Sequence, residues 1–523
     1  MFGLDALQSL RLQSHATNDA HRYVVDRRSC PLPRRRASDS CRVRKESSNP
    51  RGGSNDLVIQ QLLHLGHSPR EGEVFDIISE ELKDWKEHPR HATVVLTLLA
   101  RHRCARIAQH VLTSMLARSV EANVFHYSAA ITACEKAEQW QLALSLLRSM
   151  PNMKVIRNDV SYNAAISACE KAGQWQLSLS LLNSMPNMRV IPDEISYSAA
   201  ISACEKGGQW QLALSLLSSI PIMRLIPNKI SYSAAISACE KGGQWQLALS
   251  LLNDMPLMRI VQDGINYNAA ISACEKAGQW QLALSLLSSM HHTRIFQDEI
   301  SYNSAISACS RGGQWQVALS ILISMPVKRL SPQEVTYNAA VSASEKGVKW
   351  QLALSLLSMM PDKRLIPNEI TYSAAVSACE KGGQWQPALC LLRSMPDLRV
   401  IANEITYNAA ISACEKSGQW QLALSLLRSM PHMKMIPNAI SYHAAIRACE
   451  KGGQWQLALS FLRLPAISMV SDESTYSSHN AAISACEKGG QWLLVVGLLG
   501  EQSASAPRLL QVEIETRLEG SSK

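Results

Sequence analysis

Apolar side chains recur along most of this chain at the spacing of an α-helix, and the pattern itself repeats every 35 residues. Within the stretch 194–228, two apolar faces follow the i, i+3, i+4, i+7 rule, and a Gly-Gly pair separates them. The first face holds Tyr197, Ala200, Ile201 and Cys204, and the second holds Trp210, Ala213, Leu214 and Leu217. The pattern predicts two short antiparallel helices, with Pro221 ending the second. Neither helix can bury its apolar face alone, so stacked neighbours must complete the core.

Tryptophan marks the same place in ten successive copies of this pattern. The copies lie 35 residues apart, at Trp140, Trp175, Trp210, Trp245, Trp280, Trp315, Trp350, Trp385, Trp420 and Trp455. A fixed period of this length is typical of stacked repeats rather than of a single globular core. We therefore predict an all-α chain built from antiparallel helix pairs. Repeat 1 begins at Val124, and the closing residue of each repeat is its position 35, except in the tenth repeat, which is one residue short and closes with Asp472.

The pattern divides the chain into five regions. Residues 1–56 are rich in Arg and Ser and are predicted to be a disordered basic tail. Residues 57–123 are predicted to form a helical cap that contains a degenerate repeat at 89–123, since atypical terminal repeats are expected in solenoids. The remaining predicted regions are ten clear repeats at 124–472, a partial eleventh repeat at 473–499 and a C-terminal tail at 500–523.

The formal net charge of +9 is modest for 523 residues. Residues 1–56 carry 11 Lys and Arg against 6 Asp and Glu, so this tail alone supplies +5 of it. Nucleic-acid binding by the repeats would therefore rely on placed residues rather than on bulk charge. The composition of the tail also fits an organelle transit peptide, although Asp5, Asp19 and Asp26 argue against one.

Ten of the 14 cysteines recur on the apolar face of a first helix. They are Cys134, Cys169, Cys204, Cys239, Cys274, Cys309, Cys379, Cys414, Cys449 and Cys486. Stacked helices would hold successive cysteines on the order of 10 Å apart, too far for a disulfide. Ser344 replaces one of them, which a metal site would tolerate poorly. We therefore predict reduced core cysteines in an intracellular compartment.

No enzyme chemistry is apparent in the sequence. The Gly-Gly pairs only separate helices and do not form a phosphate-binding loop. The zinc-deaminase signature, H-x-E followed by P-C-x-x-C, is missing. No apolar run approaches the length that crosses a membrane. The sequence thus predicts no catalytic residue, no metal site and no cofactor.

Three sequence features resemble the pentatricopeptide repeat. They are Tyr-Asn-Ala-Ala-Ile-Ser-Ala-Cys at 162–169, a later Ala-Leu-x-Leu-Leu-x-x-Met, and a closing Pro-Asn or Pro-Asp. The resemblance covers about two thirds of the chain, and Trp at the start of the second helix departs from the usual Leu. It implies a right-handed superhelical solenoid of antiparallel helix pairs. It also implies binding of single-stranded RNA, one base per repeat, without an editing domain.

The resemblance implies a cellular role as well. Members of the family act mostly in organelles, so a chloroplast or a mitochondrion is expected, and the transit-peptide interpretation of the tail gains weight. The chain is expected to act there as a monomer in RNA processing, stabilisation or translation, with recruited RNA-processing proteins as further partners. No membrane and no cofactor are implied. Two alternatives stay open, a scaffold that binds protein segments in the same groove and a copied array without a working target.

In the family that the chain resembles, position 5 and the closing residue select the base. Here both hold short hydrogen-bonding side chains that vary independently, and a helix N-cap role would explain their types but not their alternation. In order, the pairs are Ser128 and Asn158, Asn163 and Asp193, Ser198 and Asn228, Ser233 and Asp263, Asn268 and Asp298, Asn303 and Gln333, Asn338 and Asn368, Ser373 and Asn403, Asn408 and Asn438, and His443 and Asp472. An Asp acceptor suits the ring N–H of uracil and guanine, whereas an Asn amide donor suits adenine and cytosine.

The pairs predict a target. In the family, Ser or Thr at position 5 goes with purines and Asn with pyrimidines, and the amino end of the chain reads the 5′ end of the RNA. The first nine repeats therefore predict 5′-AUAGUYCAC, where Y is a pyrimidine that Asn303 and Gln333 leave open. The pair of His443 and Asp472 predicts no base.

Two further rows of side chains complete the expected interface. Position 2 residues of adjacent repeats would sandwich each base, with packing between repeats as the alternative role: Phe125, Val160, Ile195, Ile230, Ile265, Ile300, Val335, Ile370, Ile405 and Ile440. Basic residues at position 13 would approach phosphates, with compensation of the helix dipole as the alternative role: Lys136, Lys171, Lys206, Lys241, Lys276, Arg311, Lys346, Lys381, Lys416 and Lys451.

Overall fold

The computed structural model describes residues 52–66, 69–118, 120–153, 155–464, 473–491, 493–495 and 498. In this part of the chain the regular elements are helices and no β-strand occurs, which confirms the all-α prediction. The predicted tails fall largely outside it, since residues 1–51 and 500–523 are not among the described residues. Contacts group the described residues into two compact units. One holds residues up to 277 together with 288–296, and the other holds 278–287 together with residues from 297 onward.

Five described helices precede the repeats. They span Gly52–His64, Glu71–Ile78, Glu81–Glu87, Pro89–Arg101 and Ala105–Ala117. The first begins inside the predicted tail 1–56, five residues before the predicted cap. The last two form a helix pair where the degenerate repeat was expected. The helix Pro89–Arg101 is 13 residues long, the same length as the first helices of the clear repeats.

Each clear repeat consists of two helices. The first helices run from position 1 to the basic residue at position 13: Val124–Lys136, Asp159–Lys171, Glu194–Lys206, Lys229–Lys241, Gly264–Lys276, Glu299–Arg311, Glu334–Lys346, Glu369–Lys381, Glu404–Lys416 and Ala439–Lys451. The second helices each begin at the tryptophan: Trp140–Ser149, Trp175–Ser184, Trp210–Ile222, Trp245–Leu257, Trp280–His292, Trp315–Val327, Trp350–Asp362, Trp385–Ser394, Trp420–Ser429 and Trp455–Leu462. The helix Glu473–Lys488 follows them.

Local hydrogen bonds explain where the first helices begin and end. The closing residue acts as an N-cap: Oδ1 of Asp193 accepts the Ser196 N–H at 2.8 Å, and Ser196 Oγ accepts the Asp193 N–H at 3.2 Å. At the other end of this helix, the Gln209 N–H donates to the Cys204 carbonyl at 2.9 Å. Gly208 lies inside that turn with a φ of +67°, which glycine adopts without strain.

Proline does not end the second helix in the way predicted for Pro221. The helix Trp210–Ile222 continues through this residue, whereas in repeats 1, 2, 8 and 9 a short 3-10 helix begins at the equivalent proline. Proline removes only its own N–H donor. The Met223 N–H still donates to the Ser219 carbonyl at 3.1 Å, so the last turn can close around the ring.

Small and aliphatic side chains bring neighbouring first helices together. The recurring cysteines are fully buried, as predicted, and Ser344 in their row donates to the Ala340 carbonyl at 2.9 Å. A tryptophan makes a second contact with the following repeat. A Cβ on Gly207 would lie 2.3 Å from Cδ1 of Trp175, so only glycine fits against that ring. The core is therefore shared between successive repeats.

Candidate nucleic-acid interface

The amino ends of the first helices carry a row of exposed apolar residues. The ten position 2 residues are all exposed, from 50% for Val160 to 68% for Phe125. Packing between repeats, the alternative role, leaves most of this surface uncovered. Covering it with a ligand would be favourable by about 25 cal/mol per Å² of apolar surface. The exposure therefore favours position 2 as a contact surface, and the sandwiching of bases remains a prediction.

The structure brings the position 5 residue and the closing residue of one repeat into contact. Asn163 Nδ2 donates to the two carboxylate oxygens of Asp193 at 3.0 and 3.1 Å, and Ser198 Oγ donates to Asn228 Oδ1 at 3.1 Å. In repeats 1, 7, 8 and 9 the corresponding atoms lie 3.3–3.5 Å apart. The two residues predicted to select a base thus form one polar site, and the selection itself remains a prediction.

A third residue completes this polar site, and the sequence reasoning did not single it out. It is position 3 of the following repeat: Ser196 Oγ donates to Asn163 Oδ1 at 2.5 Å, and Thr336 Oγ1 donates to Asn303 Oδ1 at 2.6 Å. The amide of Asn163 is thereby held with its oxygen toward the next repeat and its NH₂ toward the closing Asp193. The capping-box pattern is the signal that could have revealed this residue, because a Ser, Thr or Asn stands three positions after nearly every closing residue.

The basic residues at position 13 lie at the opposite end of the first helices, about 16 Å from position 2 at 1.5 Å per residue. Most of them form an ion pair with the Glu at position 12 of the preceding repeat. Lys241 Nζ lies 2.7 Å from Glu205 Oε1, and Lys416 Nζ lies 2.6 Å from Glu380 Oε1. The other pairs, at 2.8–3.1 Å, are Lys171–Glu135, Lys206–Glu170, Lys276–Glu240, Lys381–Glu345, Lys451–Glu415 and Lys488–Glu450. We call this row the Lys–Glu ladder.

The Lys–Glu ladder is a contact that neither role expected of these cations, phosphate contact or compensation of the helix dipole, had included. Within the described part of the chain, Lys136 and Lys346 form no ion pair, because Ala100 and Ser310 occupy the place of the glutamate. Phosphate contact remains a prediction. Where the ladder is complete, a phosphate would have to compete with a carboxylate for each lysine.

A concave surface beside repeat 1 brings together residues at the candidate interface positions of the stretch 89–123, to which the sequence assigned only a capping role. A cavity of about 800 Å³ is lined by Arg90, Thr93, Arg101, Asn123 and Phe125, among others. Counted in steps of 35 residues, the first four stand at positions 2, 5, 13 and 35 of the degenerate repeat, and Phe125 stands at position 2 of repeat 1. The sequence reasoning missed this site because the 35-residue pattern is faint there.

The tenth pair differs from the others. His443 is buried, and its Nδ1 is hydrogen-bonded to Ser478 Oγ on the helix Glu473–Lys488. Burial, together with the charge of Arg447, lowers the pKa of His443. Asp472, the predicted partner of His443, lies outside the described residues. A base-selecting role for this pair remains a prediction.

The residues that the structure describes include no group of three or more His, Cys, Asp or Glu that could hold a metal ion. Burial raises the pKa of the Cys204 thiol to about 11 and that of Cys134 to about 12, so both stay protonated near neutral pH. Among the described helices, none has both the length and the apolar character of a membrane span.

Comparison with protein-family models assigns the repeats. The PPR repeat family model matches residues 157–206 and 402–451, the PPR repeat model matches 195–221, 230–260, 300–330 and 370–400, the pentatricopeptide repeat domain model matches 250–311, and the model of a pentatricopeptide repeat-containing protein matches 92–168. Together the matches cover more than half of the chain. The chain belongs to the pentatricopeptide repeat family. The resemblance found in the sequence is thereby confirmed.

A solved structure of a pentatricopeptide repeat protein shares the fold. The maize protein PPR10 is 18% identical with a TM-score of 0.53, over 89% of this chain and 72% of PPR10. PPR10 in complex with an 18-nucleotide psaJ RNA element is 19% identical with a TM-score of 0.47, over 87% of this chain and 79% of that one. Yeast Rmd9p in complex with a 16-nucleotide target RNA is 10% identical with a TM-score of 0.30, over 90% of this chain and 94% of Rmd9p. No curated protein sequence matches the chain.

Proposed function

We propose that this pentatricopeptide repeat protein binds single-stranded RNA and that each repeat contacts one base. The observation that carries the proposal is the recurrence, repeat after repeat, of an exposed apolar residue at position 2 beside the polar site of position 5 and the closing residue. An apolar surface suits the face of an unstacked base, and the polar site suits its hydrogen-bonding edge. Membership of the family supports RNA as the ligand.

The chemistry of the closing residues supports the target 5′-AUAGUYCAC. Asp193 and Asp263 can only accept a hydrogen bond, which suits uracil and guanine, whereas Asn158 and Asn228 can donate one to adenine. The cavity beside repeat 1 extends the proposal by one base. Thr93 and Asn123 there would read a further adenine at the 5′ end, by the rule that pairs Thr with purines.

Family membership also supports the cellular role. We expect the chain to act on transcripts of a chloroplast or mitochondrion, where bound RNA would be stabilised, processed or translated with the help of recruited proteins. A monomer is sufficient for this, since each repeat supplies its own contact. The exposed position 2 row would also suit a protein segment, so a protein-binding scaffold is the outcome to be distinguished from RNA binding.

The test is a titration of the protein with labelled 5′-AUAGUCCAC, with a shuffled strand of the same composition, and with the duplex form of the target. We expect the matched single strand to bind at least about tenfold more tightly than the other two, and its affinity to fall as the salt concentration rises. Equal affinity for single strand and duplex would contradict the proposal. Failure to retain any RNA would favour the scaffold.

A further inference from the structure

We infer that position 1 of each repeat is a further specificity-determining residue, whose charge favours one class of base over another. The inference rests on the proposed RNA binding, but position 1 has no role in that proposal. It starts from the polar atoms of the closing side chain. Oδ1 of Asn403 accepts the Thr406 N–H at 2.9 Å and the Thr406 hydroxyl at 2.8 Å. The helix cap therefore uses one end of this amide and leaves Nδ2 for another partner.

Position 1 of the same repeat supplies that partner. Nδ2 of Asn403 donates to the carboxylate of Glu369. The same contact joins Gln333 to Glu299, Asn368 to Glu334 and Asn438 to Glu404. It is present in four of the five repeats that begin with glutamate.

Repeat 4 makes the contact with the opposite charges. Lys229 Nζ at position 1 lies 2.6 Å from Oδ2 of the closing Asp263, while Oδ1 of Asp263 accepts the Asn266 N–H at 3.0 Å. The cap again uses one atom of the closing side chain, and position 1 meets the other. Position 1 thus carries a negative charge beside a closing amide and a positive charge beside a closing carboxylate.

The sequence shows the same match. Every repeat that begins with Glu closes with Asn or Gln, and the repeats that begin with Lys229, Gly264 or Ala439 close with Asp. Repeats 3 and 4 are identical from position 2 to position 24, yet they differ both at position 1 and at the closing residue. Repeat 2, with Asp159 and Asp193, departs from the rule, and there Asn163 donates to the two oxygens of Asp193.

The charge at position 1 acts on the part of the base that distinguishes the two classes. Adenine carries an amino group at C6 and cytosine one at C4, which a nearby carboxylate favours. At the same places guanine and uracil carry a carbonyl oxygen, which a nearby ammonium favours. The Glu repeats 7, 8 and 9 are those assigned C, A and C, and the Lys repeat 4 is assigned G. Position 1 therefore reinforces the choice that the closing residue makes.

Repeats 1 and 8 provide a matched comparison, because both have Ser at position 5 and Asn at the closing position. Repeat 8 has Glu369 at position 1, whereas repeat 1 has the uncharged Val124. We expect wild-type protein to prefer A over G more strongly at the eighth base of the target than at the first. Glu369→Gln should reduce the preference at the eighth base by roughly threefold to tenfold, the effect of one weakened hydrogen bond, and leave the first base unchanged. Val124→Glu should increase the preference at the first base.

Both variants would be titrated against target RNAs that carry A or G at the base concerned, with the thermal midpoint recorded as a check on folding. An unchanged A-to-G ratio in both variants, or an equal loss of affinity for the A and G strands, would overturn the inference while leaving RNA binding intact. If wild-type protein shows no preference for the target strand at all, the proposed function fails first. The two failures are therefore distinguishable.

Discussion

Asp193 shows how one side chain can serve both the fold and a ligand. Its Oδ1 caps the first helix of repeat 3, and Asn163 donates to both of its carboxylate oxygens. An asparagine at this place would keep an oxygen for the cap, as Asn228 does before the next first helix. What would change is the second polar atom, which turns from an acceptor into a donor.

We therefore expect Asp193→Asn to move the preference of repeat 2 from U toward C by about 1 kcal/mol and to leave the other bases unaffected. The free energy of unfolding should change by less than about 0.5 kcal/mol, because the cap is retained and the resulting Asn–Asn pair already occurs as Asn338–Asn368 and Asn408–Asn438. The measurement is a titration of wild type and variant with two RNAs that differ only at the second base. An equal loss of affinity for both RNAs would mean that Asp193 caps a helix and takes no part in base selection.

Val348 carries a strained backbone at the end of a first helix. Its φ is +55°, in the left-handed region, where a β-branched residue is disfavoured. Gly383, at the same position of the next repeat, has a φ of +67° with open space around it. Both repeats therefore share the left-handed conformation, which glycine adopts without strain and valine does not.

Replacing Val348 by glycine should relieve this strain. We expect Val348→Gly to raise the free energy of unfolding by about 1 kcal/mol, and the control Gly383→Val to lower it by a similar amount or more. Urea denaturation followed by circular dichroism measures both changes as shifts of the midpoint. A Val348→Gly protein that unfolds at a lower urea concentration than wild type would contradict the left-handed conformation.

At the scale of helices, neighbouring first helices are connected at both ends. At the amino end, position 3 of one repeat bonds to position 5 of the repeat before it, and at the carboxyl end the Lys–Glu ladder connects them. The periodicity predicted the helices, and the residue types predicted the buried cysteines, whereas the N-caps had been considered only as an alternative to base selection. The ladder could not be predicted, because it depends on how far one helix is shifted along the next, which apolar spacing does not specify. The helix through Pro221 was missed because a rule about helix interiors was applied to a last turn.

The Lys–Glu ladder leads to a prediction about RNA affinity. Glu380→Gln removes the carboxylate partner of Lys416 and frees its ammonium for a phosphate. We expect tighter RNA binding and a slope of log affinity against log salt that is steeper by up to about 0.7, the value for one added phosphate contact on a single strand. Stability should change by no more than about 1 kcal/mol, since the ion pair is partly exposed.

The chain offers the reverse substitution as a control. Ser310→Glu places a carboxylate before Lys346, which lacks one in the native sequence. RNA binding should then weaken and the salt dependence should become shallower. Salt slopes that stay the same in both variants would show that the position 13 lysines do not meet phosphates.

At the scale of the whole molecule, the fold was predictable because each repeat contacts mainly its neighbours. A single period therefore carried most of the necessary information, and the family models confirmed the assignment. The handedness of the superhelix and the order of bases remain predictions. The stretch 89–123 was undervalued, although Arg90, Thr93 and Asn123 stand at interface positions, since most of its other residues have diverged from the pattern.

The contact between Trp175 and Gly207 bears on how the gene for such a protein can change. Ala137, Ala172, Ala277 and Ser417 occupy the place of that glycine in repeats 1, 2, 5 and 9. Because a Cβ there would lie 2.3 Å from a ring placed like Trp175, a repeat with alanine or serine at this position needs the ring before it to shift. A repeat with glycine at this position carries no Cβ there and can follow any other repeat without this clash. Recombination between near-identical copies should therefore add and remove glycine-bearing repeats most readily, and under the proposed binding of one base per repeat each such event would lengthen or shorten the recognised RNA by one base.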